Sequence, residues 1–244
     1  MASLTKSCDK IMNSQFDKPG AESVMENCIS NGQRQSPMFP DLFDKALKTK
    51  RFTNRKKDLR LLMRLYRDIF LEEFSQAEVL HYPGLHWDDS HLVPVFDIIR
   101  LGFTPKLQEL DIGYNSLGLE GCSALARAIL SAPELRTLVL DYNKINDDFF
   151  EFDNQKLCKA IAKLQVVSLN GNRISNKAVS CLVAAMMVHN NPPNLVEIRL
   201  RMTNVDDKDL LTKVIECCPS LRQLDLFGTS LENEIRCPGA VQEN

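Results

Sequence analysis

The sequence predicts an α/β solenoid, a right-handed coil in which short parallel strands line the concave side and helices lie on the convex side. Two observations predict this class: a strand-like segment that recurs at intervals of 26 to 31 residues, and a helical pattern between successive copies. Each copy has an apolar face that it cannot bury alone, so neighbouring copies stack. We expect about six copies over residues 74–231, the first of them degenerate.

Five segments align without gaps in the pattern LxxLxLxxNxL. They are LQELDIGYNSL (107–117), LRTLVLDYNKI (135–145), LQVVSLNGNRI (164–174), LVEIRLRMTNV (195–205) and LRQLDLFGTSL (221–231). The fourth and sixth positions lie on one face of a strand and point into the core, while the fifth and seventh point outward. The ninth position is asparagine in three copies (Asn115, Asn143, Asn172), and we expect its side chain to bond backbone groups in the following bend. We call this series of hydrogen bonds, one asparagine in each repeat, the ladder. Thr203 and Thr229 at this position predict that the ladder continues in a weaker form in the last two repeats.

Helical patterns fill the intervals between these strands. The segments 118–130 and 176–188 each place apolar residues on one stripe: Cys122, Leu125, Ala126, Ile129 and Leu130 in the first, and Val179, Leu182, Val183 and Met186 in the second.

The segment FSQAEVLHYPGL (74–85) is a degenerate copy of the same strand. In our alignment Phe74, Ala77 and Val79 take its first, fourth and sixth positions, and Leu85 comes one residue late, which predicts an insertion at 83–84. The segment that follows predicts a helix with Asp88, Asp89 or Ser90 as its N-cap and Leu92, Val95, Phe96 and Ile99 as its buried stripe.

The two ends of the chain differ from the repeats. Residues 1–36 are polar and lack periodicity, which predicts a disordered tail. Residues 37–73 predict a basic helical segment and N-terminal cap, with a short helix after Pro40 and a longer helix over 54–73 that Thr53 or Asn54 would cap. Residues 232–244 predict a short C-terminal cap or tail.

The repeats resemble the ribonuclease-inhibitor-like leucine-rich repeats, in which LxxLxLxxNxL is followed by xxxGxxxLxxxL. Leu117, Gly121, Leu125 and Ile129 match this longer form in register. Residues 209–226 contain CPSLRQLDL and resemble the cysteine-containing subtype common in ubiquitin-ligase adaptors. Together the resemblances cover about 107–231, and they imply a leucine-rich-repeat solenoid without implying one particular function.

Composition excludes several classes of protein. With 44% hydrophobic and 25% charged residues the chain has ordinary globular composition. Its longest apolar run, 181–188, is too short to cross a bilayer, and the first 20 residues match neither a secretory signal nor a transit peptide. The eight cysteines show no CxxC spacing. We therefore expect a soluble intracellular protein located in the cytoplasm, with the cytoskeleton or the nucleus as alternatives.

The segment HYPGLHWDDSH (81–91) holds three of the four histidines and looks like a metal site. Its spacing of five places successive histidines about 140° apart on a helix, and the repeat alignment puts His81, His86 and His91 in a strand, a bend and a helix. We interpret them as structural, like Cys217 and Cys218. We expect no catalytic residue, no metal and no cofactor.

The segment 45–67 carries ten basic residues and one acidic residue. Its basic patch consists of Lys56, Lys57, Arg60, Arg64 and Arg67. One interpretation is binding of nucleic acid or an anionic membrane. The other, which we favour, is that the patch is the solvated face of the cap helix.

The fold itself predicts the best candidate surface. Outward strand positions form columns across the concave sheet: Asp111, Val139, Ser168, Arg199 and Asp225 in one, and Gly113, Asp141, Asn170, Arg201 and Phe227 in the next, flanked by Tyr114, Tyr142, Gly171 and Met202. We predict partner binding by Tyr114, Asp141, Tyr142, Asn170, Arg199, Arg201, Asp225 and Phe227, since tyrosine, arginine and phenylalanine are enriched at protein interfaces. Alternatively, Arg199 and Asp225 neutralise each other and the tyrosines pack along the rim.

These observations lead to a hypothesis of a non-catalytic protein-protein interaction module, a scaffold or subunit of a larger intracellular assembly. One alternative is a regulator of an enzyme such as a GTPase, since the resembled family includes activators and inhibitors. Another is a substrate adaptor of a ubiquitin ligase, although residues 36–73 lack the Leu-Pro opening and later tryptophan of an F-box.

Overall fold

The computed structural model describes residues 36–50, 52, 55–188, 194–232 and 234–235. Two helices come first, α1 (Pro40–Lys48) and α2 (Arg55–Gln76). The strands are β1 (Val79–His81), β2 (Glu109–Asp111), β3 (Thr137–Val139), β4 (Val166–Ser168), β5 (Glu197–Arg199) and β6 (Gln223–Asp225). The helices between them are α3 (Asp89–Arg100), α4 (Leu119–Ser131), α5 (Asp148–Ile161), α6 (Asn176–Val188) and α7 (Lys208–Cys217).

Some predictions fall on parts of the chain that the structure does not cover. The predicted disordered tail up to residue 35, the predicted caps Thr53 and Asn54, and most of the predicted C-terminal tail lie outside the described residues. None of the helices within the described ranges combines the length and apolar character that a membrane crossing requires.

The strands form one parallel sheet whose spatial order is the order of the sequence. Equivalent repeat positions pair directly, as in Leu110 with Leu138 and Val167 with Ile198. A helix returns the chain from each strand to the next, as a parallel sheet requires. The predicted α/β solenoid is therefore confirmed.

The apolar positions of the repeat build a continuous core between sheet and helices. The side chains at the fourth and sixth positions are buried in the five aligned repeats, except that Leu224 in the last repeat is only partly buried. The predicted stripes of α4 and α6 are also buried, except Leu130. This residue lies in the last turn of α4 and is more than a third exposed.

The first repeat has a different register from the predicted one. Strand β1 pairs Leu80 with Leu110 and His81 with Asp111, which makes Ala77 the first position and Leu80 the fourth. Val79, predicted to point inward, is 52% exposed. The alignment was wrong because this repeat lacks its usual end markers: in the correct register Leu85 stands at the asparagine position and the buried Trp87 at the last aliphatic position.

The predicted insertion at 83–84 is absent. Gly84 donates its N–H to the carbonyl of Gly113 at 2.9 Å, as Tyr114 does to the carbonyl of Asp141 at 2.7 Å one repeat later. Since equivalent positions make equivalent bonds, the bend of the first repeat keeps the common length up to Gly84.

Helix α3 follows its prediction. Asp88 is the N-cap, and its carboxylate accepts a hydrogen bond from the backbone N–H of Ser90 at 3.1 Å. The predicted stripe of Leu92, Val95, Phe96 and Ile99 is fully buried.

Helix α2 packs against the core of the first repeats, and helix α1 packs against α2. Phe70 and Phe74 on α2 are buried in the same core as the repeats, and the Phe70 ring meets the Phe103 ring edge-on at 5.6 Å. Helix α1 is held on α2 by the stacked rings of Phe43 and Tyr66, whose centroids lie 3.8 Å apart.

Buried asparagines join each repeat to the one before it. Asn143 donates its amide to the carbonyl of Ile112 in the preceding repeat (3.0 Å) and to that of Leu140 in its own (3.1 Å). The side-chain oxygen of Asn143 accepts a hydrogen bond from the backbone N–H of Leu117 at 3.0 Å. Asn115 and Asn172 make the equivalent set of bonds.

Threonine replaces this asparagine in the last two repeats. Thr203 donates its hydroxyl to the carbonyl of Leu200, and Thr229 to that of Leu226, each at 2.7 Å and each within its own repeat. In the described chain neither hydroxyl reaches the preceding repeat. The predicted weakening of the ladder is confirmed.

Replacing Asn143 by threonine should lower the free energy of unfolding by about 2–4 kcal/mol, because the N–H of Leu117 and the carbonyl of Ile112 lose a partner in a buried site. Chemical denaturation measures the difference. Asn204→Thr, at an exposed bend position of the fifth repeat, is the matched control and should change stability by less than about 0.5 kcal/mol. Equal losses in the two variants would contradict the role of the ladder.

Gly121→Ala should also destabilise the protein, although alanine favours helices by about 1 kcal/mol over glycine. A Cβ at Gly121 would lie 2.4 Å from Oδ1 of Asp89 and 2.5 Å from Cδ1 of Leu117. We expect a net loss of about 1–3 kcal/mol from this overpacking, measured by thermal denaturation. The exposed neighbour Glu120→Ala serves as control, and a Gly121→Ala variant at least as stable as that control would refute the close approach.

Candidate functional site

The eighth position of every repeat turns the chain out of its strand in a left-handed conformation. Glycine occupies this position in three repeats: Gly84, Gly171 and Gly228. The other three carry Tyr114, Tyr142 and Met202, with φ between 49° and 56°. Glycine adopts this conformation freely, whereas bulky side chains are strained in it. Strained backbone of this kind clusters at functional sites.

Four half-exposed apolar side chains lie along this line of bends, three at the eighth position and Phe227 at the seventh, and we call them the aromatic row: Tyr114, Tyr142, Met202 and Phe227. Their exposed fractions are 55%, 45%, 56% and 55%. They project from the ends of β2, β3, β5 and β6. With neighbouring strands about 4.8 Å apart, the row extends over about 19 Å.

Each side chain at the eighth position leans toward the next repeat. The rings of Tyr114 and Tyr142 stack with centroids 4.7 Å apart and planes 16° from parallel. The Tyr142 ring then lies over Gly171, where a Cβ would come within 2.4 Å of Cδ1, and the Met202 sulfur lies equally close over Gly228. The glycines therefore leave the space that the larger side chains occupy.

A polar network beneath the row holds the bends of the third to fifth repeats together. The Asp141 carboxylate accepts from the Ser168 hydroxyl at 2.6 Å and from the backbone and amide N–H groups of Asn170 at 3.0 Å. The side-chain oxygen Oδ1 of Asn170 accepts a hydrogen bond from the backbone N–H of Arg201 at 2.8 Å. Asn170 is only 8% exposed. Both candidate residues, Asp141 and Asn170, thus support the surface from within.

The concave ion pairs differ from the predicted alternative. Arg199 donates its Nε–H to Glu197 at 2.6 Å, and this hydrogen bond raises the pKa of the Arg199 guanidinium. Asp225 pairs instead with Arg201, whose guanidinium also lies 5.5 Å from the centroid of the Phe227 ring. The predicted neutralisation of Arg199 by Asp225 is wrong because Glu197 lies on the same strand and the same face, within reach of Arg199.

The three histidines lie in separate elements. His81 at the end of β1 pairs with Asp111 at 3.0 Å, and His91 in the first turn of α3 pairs with Asp88 at 2.8 Å. His86 is exposed in the bend. Hydrogen bonds from the Ser90 hydroxyl and from His91 lower the pKa of Asp88 to about 2. Over the described ranges, no three His, Cys, Asp or Glu side chains are grouped so that they could hold a metal ion.

The basic patch on α2 is partly neutralised. Arg64 pairs with Asp68 at 3.6 Å, and Arg67 reaches Asp41 and Asp44 on α1, each at 3.4 Å. Lys57 and Arg60 are also exposed, while the side chain of Lys56 lies outside what the structure describes. Part of the patch therefore ties α2 to α1, and binding of nucleic acid or membrane by the remainder stays an open hypothesis.

The buried cysteines are poorly suited to act as nucleophiles. Burial raises the pKa of Cys158 and of Cys218 to about 12, and that of Cys122 well above its usual range. A thiol attacks as its thiolate, and this form is scarce at neutral pH when the pKa is so high. Because these cysteines are buried in the hydrophobic core, we interpret them as packing residues.

A leucine-rich repeat family model matches residues 105–126, which contain β2 and the start of α4. The solenoid is built from leucine-rich repeats. It is similar to the crystal structure of an internalin (InlF) from Listeria monocytogenes str. 4b F2365, with 17% identity, 55% of this chain and 37% of that chain covered, and a TM-score of 0.36. It is also similar to TLR13 in its complex with ssRNA13, with 15% identity, 67% and 30% coverage, and a TM-score of 0.34.

The chain spans about a third of the length of these two structures. At these identities and scores the likeness supports no functional conclusion. No curated protein matches the chain.

The special features of the eighth and tenth positions of the repeat were not predicted from the sequence. The left-handed backbone could have been suspected from the alternation of glycine with Tyr114, Tyr142 and Met202 in one column. The tenth column contains the exposed cations Lys144 and Arg173 beside the aromatic row. Neither column has an apolar periodicity, which is the signal that the alignment follows.

Thiol alkylation should separate the described cysteines by burial. With iodoacetamide at pH 8, we expect Cys122, Cys158 and Cys218 to react at least about tenfold more slowly than Cys217, because their thiols are buried and largely protonated. Peptide mass spectrometry over a time course measures each rate, and protein unfolded in urea is the control in which the differences should vanish. Fast labelling of Cys158 in the folded protein would contradict its assignment to the core.

Proposed function

We propose that this protein is a non-catalytic protein-binding module that acts through the aromatic row and the adjoining concave face, as a scaffold or subunit of an intracellular assembly. One observation carries the proposal. Tyr114, Tyr142 and Met202 keep bulky, half-exposed side chains on a left-handed backbone, at a position where three other repeats use glycine.

The row has physical properties that favour binding. Tyrosine offers a large apolar area with few rotatable bonds, so little conformational entropy is lost when it is covered. The stacked pair of Tyr114 and Tyr142 is already ordered, which lowers the cost of association further. Stacked repeats also form the extended concave surfaces that solenoid proteins use for binding.

The candidate residues divide into two groups by their exposure. We assign direct contact to Tyr114, Tyr142, Arg201 and Phe227, with Arg199 and Asp225 at the edge of the contact. Asp141 and Asn170 would act indirectly, because their hydrogen bonds hold the neighbouring bends in place.

We also infer that residues 37–73 form the N-terminal cap of a repeat domain over 74–231, that 232–244 form a short C-terminal cap or tail, and that the repeats are of the ribonuclease-inhibitor-like type. A helix in each of the five intervals between strands supports this subtype. So does the close approach at Gly121. A regulator of an enzyme such as a GTPase, or a substrate adaptor of a ubiquitin ligase, would use the same surface, and the identity of the captured partner distinguishes these functions.

Affinity capture from native cells tests the proposal with Tyr142→Gly combined with Arg201→Glu. Glycine removes the ring and relieves the strained backbone, so the fold should be preserved, which thermal melting verifies. We expect the wild type and the convex-face control Met187→Ala to capture at least one common partner. Once that partner is purified, it should bind the double variant about tenfold more weakly than the wild type. If every captured protein binds the double variant as well as the wild type, the concave face is not the binding surface.

A further inference from the structure

The first half of helix α2 lies outside the core of the repeats. Phe70 and Phe74 in its second half are buried in that core, whereas none of residues 57–69 is buried. The contacts of α2 with other elements are mainly with α1. Leu47 on α1 is buried, but it does not belong to the core that the repeats share. The first half of α2 therefore contributes little to the core and keeps one face open to solvent.

Helices α1 and α2 form a hairpin that brings several cations to one end. Phe43 on α1 stacks on Tyr66 on α2, and residues 49–54 alone connect the two helices. The end of α1 and the start of α2 therefore lie at the same end of the hairpin. We call the cations placed there the basic end: Lys45, Lys48, Lys50, Lys57 and Arg60. All are exposed except Lys50, which is partly exposed.

The charge of the basic end is not neutralised by its neighbours. Within the described chain the side chains of Lys45, Lys50, Lys57 and Arg60 have no ion pair or hydrogen bond. Asp58 is the only acidic residue between Lys45 and Arg67 in the sequence, and residues 51–56 include three further basic ones. Over residues 40–76, both helices and their connection, the sequence has ten basic and six acidic residues. The excess charge of the hairpin is therefore positive, whichever of these residues pair.

The stability of α2 does not account for its cations. Lys57 lies in the first turn of the helix, where the helix dipole disfavours a positive charge. Arg60 lies one turn after Lys57 and one turn before Arg64, a spacing at which like charges repel. Residues that break local rules of stability are expected at functional sites. The arrangement therefore indicates an anionic partner that compensates for this repulsion.

Exposed leucines beside the cations favour a lipid surface as this partner. Leu61 is 40% exposed and lies one turn after Lys57 and one turn before Arg64 on α2. Leu42, three residues before Lys45 on α1, is 50% exposed. A cluster of lysine and arginine on an amphipathic helix, with leucine among them, is typical of segments that bind anionic membranes. The hairpin has both the charge and the apolar groups for this contact.

The aromatic rings of the hairpin are poorly placed for nucleic acid. Single-stranded nucleic acid binds largely by stacking its bases on open aromatic faces. The aromatic side chains of α1 and α2 are all buried or partly buried. Phe43 and Tyr66 cover one face of each other, and the Tyr66 hydroxyl donates to the carbonyl of Met38 at 2.7 Å. Nucleic acid would therefore gain from the cations alone, whereas a lipid surface also gains from Leu61.

We propose that the basic end of the hairpin binds the surface of an anionic phospholipid bilayer. Its cations face the headgroups, and Leu61 enters the boundary between headgroups and acyl chains. Each lysine or arginine within about 8 Å of such a surface, the Debye length at physiological salt, adds to the attraction. The aromatic row shares no residue with the basic end, so a protein held at a membrane in this way still presents its concave face to a partner.

Sedimentation with lipid vesicles tests the contribution of charge. The full-length protein should bind vesicles of phosphatidylcholine with about one third phosphatidylserine, and bind pure phosphatidylcholine about tenfold more weakly or less. Lys57→Gln/Arg60→Gln should lower the partition coefficient on the anionic vesicles about tenfold, with a difference that shrinks as salt rises. The control Lys163→Gln/Lys213→Gln makes the same change in net charge at exposed positions next to α5 and on α7, and should lower it less than about twofold.

Tryptophan fluorescence tests the contact of Leu61 with lipid. The chain has one tryptophan, Trp87, which is buried, so Leu61→Trp adds an exposed reporter. We expect its emission to shift to shorter wavelength on the anionic vesicles, because the indole enters the interface. Leu130→Trp on α4 is the matched control, since Leu130 is 38% exposed, and its emission should not shift.

Three results would overturn the proposal: equal binding to the two kinds of vesicle, equal losses in the two glutamine pairs, or no shift in Leu61→Trp. A short single-stranded RNA that displaces the protein from the anionic vesicles, and binds Lys57→Gln/Arg60→Gln more weakly than the wild type, would assign the basic end to nucleic acid instead. Each of these results leaves the function proposed for the concave face standing, because the two surfaces are separate.

Discussion

The structure depends on hydrogen bonding of the backbone in the buried bends that follow the strands. Strands of three residues end after a few ladder bonds, and the buried N–H and carbonyl groups beyond them need partners that are not water. An asparagine side chain offers a donor and an acceptor at once. Asn115, Asn143 and Asn172 use both, and each one links two repeats.

This common bend explains why the candidate surface is regular. Because every bend leaves its strand with the same left-handed eighth residue, the side chains at this position stand in line at the spacing of the sheet. The chain can then vary what it presents there without changing the fold. It places tyrosine in the second and third repeats, glycine in the fourth and methionine in the fifth, with cations beside the third and fourth.

Much of the fold could be predicted from the sequence, because the aliphatic positions and the asparagine are set by burial and recur. The first repeat was misaligned because Trp87 and Leu85 replace the two residues that mark its end. The candidate surface was predicted less well. Outward-facing columns have no apolar pattern that would indicate which of their members are buried, so the burial of Asn170 did not follow from the spacing. The partner of a long charged side chain depends on how far that side chain reaches, so the pairing of Arg199 with Glu197 did not follow from it either.

Hydrogen exchange of single amides tests the central claim, that asparagine bonds between repeats hold the bends in place. The backbone amides of Leu117 and Ile145 donate to the side chains of Asn143 and Asn172 in the following repeat. At the equivalent position of the fourth repeat, the following repeat has Thr203 in place of asparagine, so in the described chain the amide of Ile174 lacks such a side-chain acceptor. Exchange followed by NMR in the native protein should be about a hundredfold slower at Leu117 and Ile145 than at Ile174. Equal exchange at the three amides would show that the bends are held by packing alone and would contradict this account.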